Sequence, residues 1–252
     1  MKWNLKSEVE RKIFKLLLFF RKKYIINIYI KGNNKRGVCV MTCVIAYKDK
    51  DRVYIGADSL SSSLQTMEKH SRRDNKVFRL KDRDDVLIGF CGSYRMGQLL
   101  QSTCGLLQYQ EESEEPYEDG KTTLVVKEVE DLDYDAMIEV FVPNVIALFK
   151  EGDFAVQSEA GLYGGNFIVA TKDRFYYVMG DFSVADLTDE YLAIGCGGAY
   201  AKGALDILSK SKKDTKTKIL EALRVSEKNA LAIEKPYVIL NTFDDSVEVY
   251  DK

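Results

Sequence analysis

Residues 42–59 read TCVIAYKDKDRVYIGADS, and this stretch decides the fold. The runs 42–47 and 52–57 are apolar and contain several β-branched and aromatic residues, which favour strands. The charged sequence KDKD between them is typical of a turn. The stretch therefore predicts a β-hairpin that opens at Thr42 and closes at Asp58.

The same pattern predicts a second hairpin downstream. The runs KVFRL (76–80) and VLIGFCG (86–92) flank the charged turn KDRDD, and a helix is predicted to follow over 95–101. The acidic segment 109–133 predicts an extended excursion or a solvated surface loop. A helix is predicted over 134–150, although Pro143 would kink or split it.

The rest of the chain alternates between strands and helices. The predicted strands are 166–170, 175–179, 191–194, 237–241 and 246–250, and the predicted helices are 199–209 and 215–232. Strands followed by helices, twice over, indicate two packed sheets with helices on their outer faces. We therefore predict for residues 42–252 an α+β fold, a four-layer αββα sandwich of two antiparallel sheets.

The composition argues against several classes of protein. The 252 residues are 46% hydrophobic and 30% charged, which is typical of a soluble globular chain. No apolar run reaches the roughly 18–20 residues of a membrane span. The single histidine, His70, argues against a Ser-His-Asp triad and a His-rich metal site, so we expect no metal and no cofactor. Five cysteines without CxxC spacing indicate a reduced, cytoplasmic setting.

Charge divides the chain into two unlike parts. Residues 1–41 carry eleven Lys or Arg against Glu8 and Glu10, a net of +9. The remainder carries 26 basic and 37 acidic residues, a net of −11, so the whole chain is −2. An acidic body argues against nucleic-acid binding, because phosphate contacts need clustered positive charge.

The basic leader, residues 1–41, has four interpretations. It lacks the apolar core and small-residue cleavage site of a secretory signal. Its aromatic residues beside clustered Lys and Arg would suit an amphipathic membrane helix. A propeptide would be cut between Met41 and Thr42. We favour a true start at Met41, because AT-rich codons specify most of the leader and a purine-rich ribosome-binding sequence can encode KRGV (35–38). Removal of Met41 would then expose Thr42.

Four features together carry a more specific signal. They are the hairpin from Thr42 to GADS (56–59), Lys76 at the start of the second hairpin, GFCGS (89–93) before a helix, and AIGCGGAYA (193–201) before another helix. Their order and spacing resemble the proteasome β-subunit family of N-terminal-nucleophile (Ntn) hydrolases, and most closely the bacterial ring peptidases of heat-shock locus V. The resemblance extends over about the whole of 42–252, with a poor match around the acidic segment.

The resemblance implies a role for each feature. Thr42 would be the nucleophile, with its own α-amino group as base, Lys76 its electrostatic partner and Asp58 the carboxylate that orients the lysine. A threonine hydroxyl needs such a base, and an α-amine has a suitable pKa of about 7.7–8.0. Gly92 would supply an N–H for the oxyanion, and Phe90 would line a first specificity pocket for apolar or small side chains.

Two departures and one alternative nucleophile accompany the resemblance. Cys196 stands where the family usually has a serine near the nucleophile's amine, and a thiol bonds less well than a hydroxyl. EKPY (234–237) occupies the region where the eukaryotic site has an acid and a serine. Cys43 could be an N-terminal-type nucleophile, but strand alternation points it away from the face of Thr42, which favours a core residue.

Three functions follow. The first is a threonine peptidase that cuts unfolded polypeptides inside a homo-oligomeric ring, with an unfolding ATPase as a possible partner. The second is a catalytically silent ring subunit, which would result if the leader stays attached and blocks the amine of Thr42. The third is an Ntn amidase that acts on a small amide. None of them calls for a nucleic acid or a membrane.

Overall fold

The computed structural model describes residues 42–63, 68–112, 124–159 and 161–251. The predicted leader, 1–41, and the middle of the acidic segment, 113–123, lie outside these ranges, so the expectations about them stay predictions. No helix within the described ranges is long and apolar enough to cross a membrane.

Strands dominate the described chain. They are β1 (Val44–Asp49), β2 (Arg52–Asp58), β3 (Leu60–Ser63), β4 (Glu68–Ser71), β5 (Val77–Leu80), β6 (Arg83–Cys91), β7 (Gln108–Glu112), β8 (Leu124–Glu128), β9 (Val156–Ser158), β10 (Gly161–Tyr163), β11 (Asn166–Ala170), β12 (Phe175–Val178), β13 (Val184–Asp186), β14 (Tyr191–Ile194), β15 (Tyr237–Asn241) and β16 (Val247–Tyr250). The helices are α1 (Tyr94–Ser102), α2 (Tyr134–Ala136), α3 (Val142–Glu151), α4 (Gly198–Leu208) and α5 (Thr215–Asn229), and a π-helical segment (Met137–Phe141) joins α2 to α3.

Two five-stranded antiparallel sheets form the centre of the molecule. Sheet I has the order β14-β1-β2-β15-β16, and sheet II has the order β13-β12-β11-β6-β5. The hairpin predicted from residues 42–59 is the pair β1–β2, and the second predicted hairpin is β5–β6. Val44 pairs with Ala57, so the beginning of β1 lies beside the end of β2.

Alternation along β1 assigns its side chains to two different cores. Val44 and Ala46 are buried between the two sheets, whereas Ile45 and Tyr47 pack with the apolar faces of α4 and α5. A third core lies on the outer side of sheet II, where residues of β6 such as Phe90 pack with α1 and α3. Four layers result, which confirms the predicted αββα sandwich. Each fully buried apolar side chain contributes about 1.5–3 kcal/mol to its stability.

Gly89 lets the two sheets approach closely next to the site. A Cβ at this position would lie 2.6 Å from Cδ1 of Ile55 and 2.7 Å from Cγ1 of Val44, both on sheet I. Any side chain here would force the sheets apart. The glycine that opens the motif GFCGS therefore has a packing role.

The helix predicted over 134–150 is present, and Pro143 does not split it. The π-helical segment precedes the proline, and the N–H of Val142 donates to the carbonyl of Met137, five residues back. Pro143 then falls in the first turn of α3, where an N–H has no helical partner to lose.

The two described ends of the acidic segment form a hairpin, β7–β8, in which Gln108 pairs with Glu128. All ten residues of the two strands are exposed. The predicted extended and solvated character is therefore confirmed for these ends, which pair as strands in place of the predicted surface loop.

Candidate active site

The carboxylate of Asp58, at the end of β2, is the centre of the site. Asp58 is 1% exposed. Its Oδ2 accepts a hydrogen bond from Lys76 Nζ at 2.9 Å and one from the Leu60 N–H at 3.2 Å. Its Oδ1 accepts from the Cys43 N–H at 2.9 Å. Three donors compensate for the loss of water around this buried charge.

Lys76 belongs to the other sheet. It immediately precedes β5, and its carbonyl accepts a hydrogen bond from the Phe90 N–H at 3.0 Å, which fixes it to β6. The side chains of Lys76 and Asp58 are both 0% exposed. The ion pair therefore spans the gap between sheet II and sheet I, shielded from water.

Burial changes the protonation equilibria of both partners. Loss of solvation raises the pKa of the Asp58 carboxyl, and the attraction of Lys76 opposes this rise. Loss of solvation likewise lowers the pKa of the Lys76 ammonium, against the attraction of Asp58. The charge of each partner thus opposes the effect of burial on the other, although burial is the larger influence on both pKa values.

Thr42 lies two residues before the first residue of β1, Val44, and is 0% exposed. Cys43 packs on the helix side of sheet I and Val44 between the sheets. Alternation therefore puts the Thr42 side chain on the same side as Val44, the side that faces sheet II and Lys76. The position next to the ion pair is the one that the sequence predicts for a nucleophile.

The loop that follows β14 holds the carbonyl of Thr42. The Gly197 N–H donates to this oxygen at 3.2 Å and the Cys196 thiol donates to it at 3.6 Å. Gly195 has a φ of +90°, and a Cβ there would lie 2.1 Å from the same oxygen. The motif AIGCGGAYA therefore clamps the first described residue. Cys196 contacts the carbonyl of Thr42, and its predicted place near the amine of Thr42 stays a prediction.

Cys43, the alternative nucleophile, faces away from the ion pair. Its thiol donates to Ser226 Oγ at 3.6 Å, on the helix side of sheet I. Burial raises the pKa of this thiol to about 12. A neutral, 0% exposed thiol is a poor nucleophile, so the interpretation of Cys43 as a core residue is confirmed by its position.

Gly92 and Phe90 occupy different environments at the end of β6. Gly92 has a φ of +103°, and a Cβ there would meet no atom within 4 Å, so its backbone borders open space. Phe90 is 2% exposed and lies edge-on to Tyr94, with ring centroids 5.6 Å apart. A Cβ at Gly97 would lie 2.2 Å from the Phe90 ring, so α1 packs directly on this side chain.

The structure thus brings Thr42, Asp58, Lys76 and Cys196 together at the junction of the two sheets. Sequence reasoning missed the backbone N–H groups of Cys43 and Leu60 as ligands of Asp58, because backbone donors leave no trace in residue type. It also missed Gly195 as a close neighbour of Thr42.

Comparison with known proteins supports the fold. No protein-family model matches the sequence, and no curated protein matches it. Among solved structures, BPH from Thiobacillus denitrificans, in complex with epoxomicin, matches with a TM-score of 0.59 at 17% identity, over 79% of this chain and 97% of BPH.

Two further solved structures match in the same way. Eukaryotic HslV from Trypanosoma brucei has a TM-score of 0.52 at 19% identity, over 79% of this chain and 98% of HslV. The Anbu (Gly-1) mutant from Hyphomicrobium sp. strain MC1 has a TM-score of 0.56 at 14% identity, over 83% of this chain and 88% of Anbu. All of these are proteasome-like Ntn hydrolases, and the chain has their fold.

Proposed function

We propose that this protein is a threonine peptidase of the proteasome type, with Thr42 as its first residue and nucleophile. The observation that carries the proposal is the buried Asp58 carboxylate. It holds the Lys76 ammonium at 2.9 Å and, equally at 2.9 Å, the N–H of the residue that follows Thr42. A buried ion pair is costly in free energy, and its position beside the peptide group that follows Thr42 supports a chemical use for it.

In the proposed reaction the α-amine of Thr42 takes the proton of its own hydroxyl as Oγ attacks the carbonyl carbon of a peptide bond. The positive charge of Lys76 stabilises the developing alkoxide. The Gly92 N–H donates to the oxyanion of the tetrahedral intermediate. The ammonium of Thr42 then protonates the leaving amine, which leaves an ester on Oγ. Water, activated by the same amine, hydrolyses this ester.

The mechanism requires a free α-amine on Thr42. In the 252-residue chain the nitrogen of Thr42 is part of a peptide bond to Met41, and an amide nitrogen is not a base. The active form is therefore one in which residues 1–41 are absent or removed.

Two further residues have proposed roles. Phe90, which packs under α1, is assigned by the resemblance to the lining of a first specificity pocket that takes apolar or small side chains. Cys196 holds the carbonyl of Thr42 and so helps to orient the nucleophile. The substrate is an unfolded polypeptide that enters a ring of identical subunits in the cytoplasm, with an unfolding ATPase as the partner that delivers it.

Hydrolysis of fluorescently labelled casein by protein expressed from Met41 tests the proposal. We expect release of labelled peptides by this protein and none by its Thr42→Ala variant. Thr42→Ala is the matched control, because it removes the hydroxyl and keeps the α-amine and backbone. Size-exclusion chromatography of the same protein reports whether it forms a ring.

Other outcomes would point to the competing functions. A ring that releases no peptide, although mass spectrometry shows Thr42 as the first residue, would favour a silent subunit. Hydrolysis of a small amide by a monomer that leaves casein intact would favour an amidase. Epoxomicin, which is bound to BPH in its solved structure, serves as a probe of the proposed nucleophile.

A further inference from the structure

Ser226, on α5, lies against both segments that hold Thr42, although it is remote from them in the sequence. It is 0% exposed. Its hydroxyl donates to the carbonyl of Gly197 at 3.0 Å and lies 3.1 Å from the carbonyl of Ala222, one helical turn back. Its oxygen accepts the hydrogen bond of the Cys43 thiol at 3.6 Å. A buried serine with only its own helix to satisfy would need just the contact to Ala222.

These contacts close a ring of hydrogen bonds around the peptide group between Thr42 and Cys43. The carbonyl of this peptide accepts from the Gly197 N–H at 3.2 Å, and its N–H donates to Asp58 at 2.9 Å. Ser226 links the side chain of Cys43 to the carbonyl of the same Gly197. The peptide group that follows the proposed nucleophile is therefore held at both its poles, by Gly197 and by Asp58. Ser226 contacts Gly197 and, through the thiol, the side chain of Cys43.

Packing at this point leaves no room for adjustment. A Cβ at Gly197 would lie 2.8 Å from Cβ of Cys43 and 3.1 Å from Cβ of Ser226. The loop, the first strand and the helix are thus in direct contact, with the Ser226 hydroxyl as the polar group between them. Loss of this hydroxyl removes the polar contact that links the loop to the side chain of Cys43.

We propose that Ser226 is a positioning residue for Thr42, which acts through Gly197 and Cys43 to fix the direction of the Thr42 hydroxyl. This inference rests on the proposed function. Ser226 touches no reacting atom, so its effect falls on the rate of the chemical step. Binding of the substrate is governed by other groups and is unaffected.

The test is the kinetics of epoxomicin adduct formation by intact mass spectrometry, on protein that begins at Thr42. Ser226→Ala removes the hydroxyl and leaves the Gly197 carbonyl and the Cys43 thiol without it. Because a misplacement of about 1 Å can cost about a hundredfold in rate, we expect the maximal rate of adduct formation to fall by about ten- to a hundredfold. The epoxomicin concentration that gives half of this rate is expected to stay within about twofold.

Thr215→Val is the matched control. Thr215 lies on the same helix, is 6% exposed, and its hydroxyl donates to Asp49 Oδ2 at 2.7 Å, far along the helix from the site. We expect this variant to lower the melting temperature as Ser226→Ala does and to leave the maximal rate unchanged. If Ser226→Ala fails to fold, Ser226→Cys replaces it, because a thiol keeps a weaker donor and predicts an intermediate loss of rate.

The outcomes separate the two proposals. If the parent protein forms no adduct, the proposed function is wrong. If the parent reacts and Ser226→Ala reacts at the rate of Thr215→Val, Ser226 has a structural role alone and the inference is overturned. An equal fall in both variants would also overturn it, because that result would mean that the rate simply follows stability.

Discussion

Replacement of Lys76 by methionine probes the ion pair that defines the site. Methionine has nearly the length of lysine and removes the cation 2.9 Å from Asp58 Oδ2, in a place where both side chains are 0% exposed. Asp58 keeps the backbone donors of Cys43 and Leu60 but loses the lysine. Removal of one member of a buried ion pair costs about 3–5 kcal/mol, so we expect the free energy of unfolding to fall by this amount.

The reverse change, Asp58→Asn, should cost a similar amount, because it leaves the Lys76 ammonium without a carboxylate. The double variant removes both charges, and replacement of a whole buried pair is often nearly neutral. We therefore expect the double variant to be more stable than the sum of the two single losses predicts, by at least about 1 kcal/mol. Loss of peptidase activity is expected in all three variants.

The two single variants should respond to pH with opposite signs. In Lys76→Met the pKa of Asp58, already raised by burial, rises further. The folded state then keeps a proton that the unfolded state releases, and stability falls as the pH rises above the ordinary carboxyl pKa of 3.8. In Asp58→Asn the pKa of Lys76 is lowered further, the unfolded state binds the extra proton, and stability rises with pH until about 10.5.

Urea titrations followed by circular dichroism at several pH values between 5 and 9 measure these effects, at one protein concentration so that assembly does not contribute. For either variant the free energy of unfolding should change by no more than about 1.4 kcal/mol per pH unit, which is the value for the uptake or release of one proton. Two results would refute the description of the pair as buried and mutually dependent. One is a loss of less than about 1 kcal/mol in the free energy of unfolding of the single variants, and the other is a pH dependence of the same sign in both.

Three other predictions concern the surroundings of the site. Gly195→Ala should lower the free energy of unfolding by more than about 2 kcal/mol and abolish activity, since its Cβ would lie 2.1 Å from the Thr42 carbonyl oxygen at a φ of +90°. Gly203→Ala is the control in the same thermal melt. It changes a helical position with no atom within 4 Å of an added Cβ, so it should be stabilising. Iodoacetamide at pH 8 should label the exposed Cys104 in the folded protein and should label Cys43, whose pKa is raised to about 12, only after unfolding. Peptide mapping that finds both cysteines labelled at the same rate would contradict the burial of Cys43. Gly97→Ala should cost about 1–3 kcal/mol in a thermal melt, because the new Cβ meets the Phe90 ring at 2.2 Å, and an unchanged melting temperature would show that α1 can shift away.

Much of the fold could be predicted because its strands carry a clear pattern. Residues 42–59 form a hairpin whose alternate side chains enter different cores, and that pattern is visible in the sequence. β7 and β8 could not be predicted in this way, because all their residues are exposed and no apolar alternation marks them. The effect of Pro143 could not be predicted either, because no residue type marks the π-helical segment that precedes it.

The candidate site was predictable to the extent that its parts sit at strand ends. Asp58 ends β2 and Lys76 immediately precedes β5, and the resemblance to the proteasome β-subunit family implied a common site for them. Ser226 lies in the last turn of α5, 183 residues from Cys43 and 29 from Gly197. A serine on a helical face has no local feature that distinguishes it, so its contacts appear only when the chain is folded.

The most direct test of the central claim is the site of epoxomicin attachment, compared between the full 252-residue chain and the protein that begins at Thr42. Intact mass measures the extent of reaction, and fragmentation of the N-terminal peptide identifies the modified residue. The account predicts one adduct per subunit, located on Thr42, in the protein that begins there, and none in the chain that keeps residues 1–41. An adduct on another residue, or equal reaction of both forms, would contradict it.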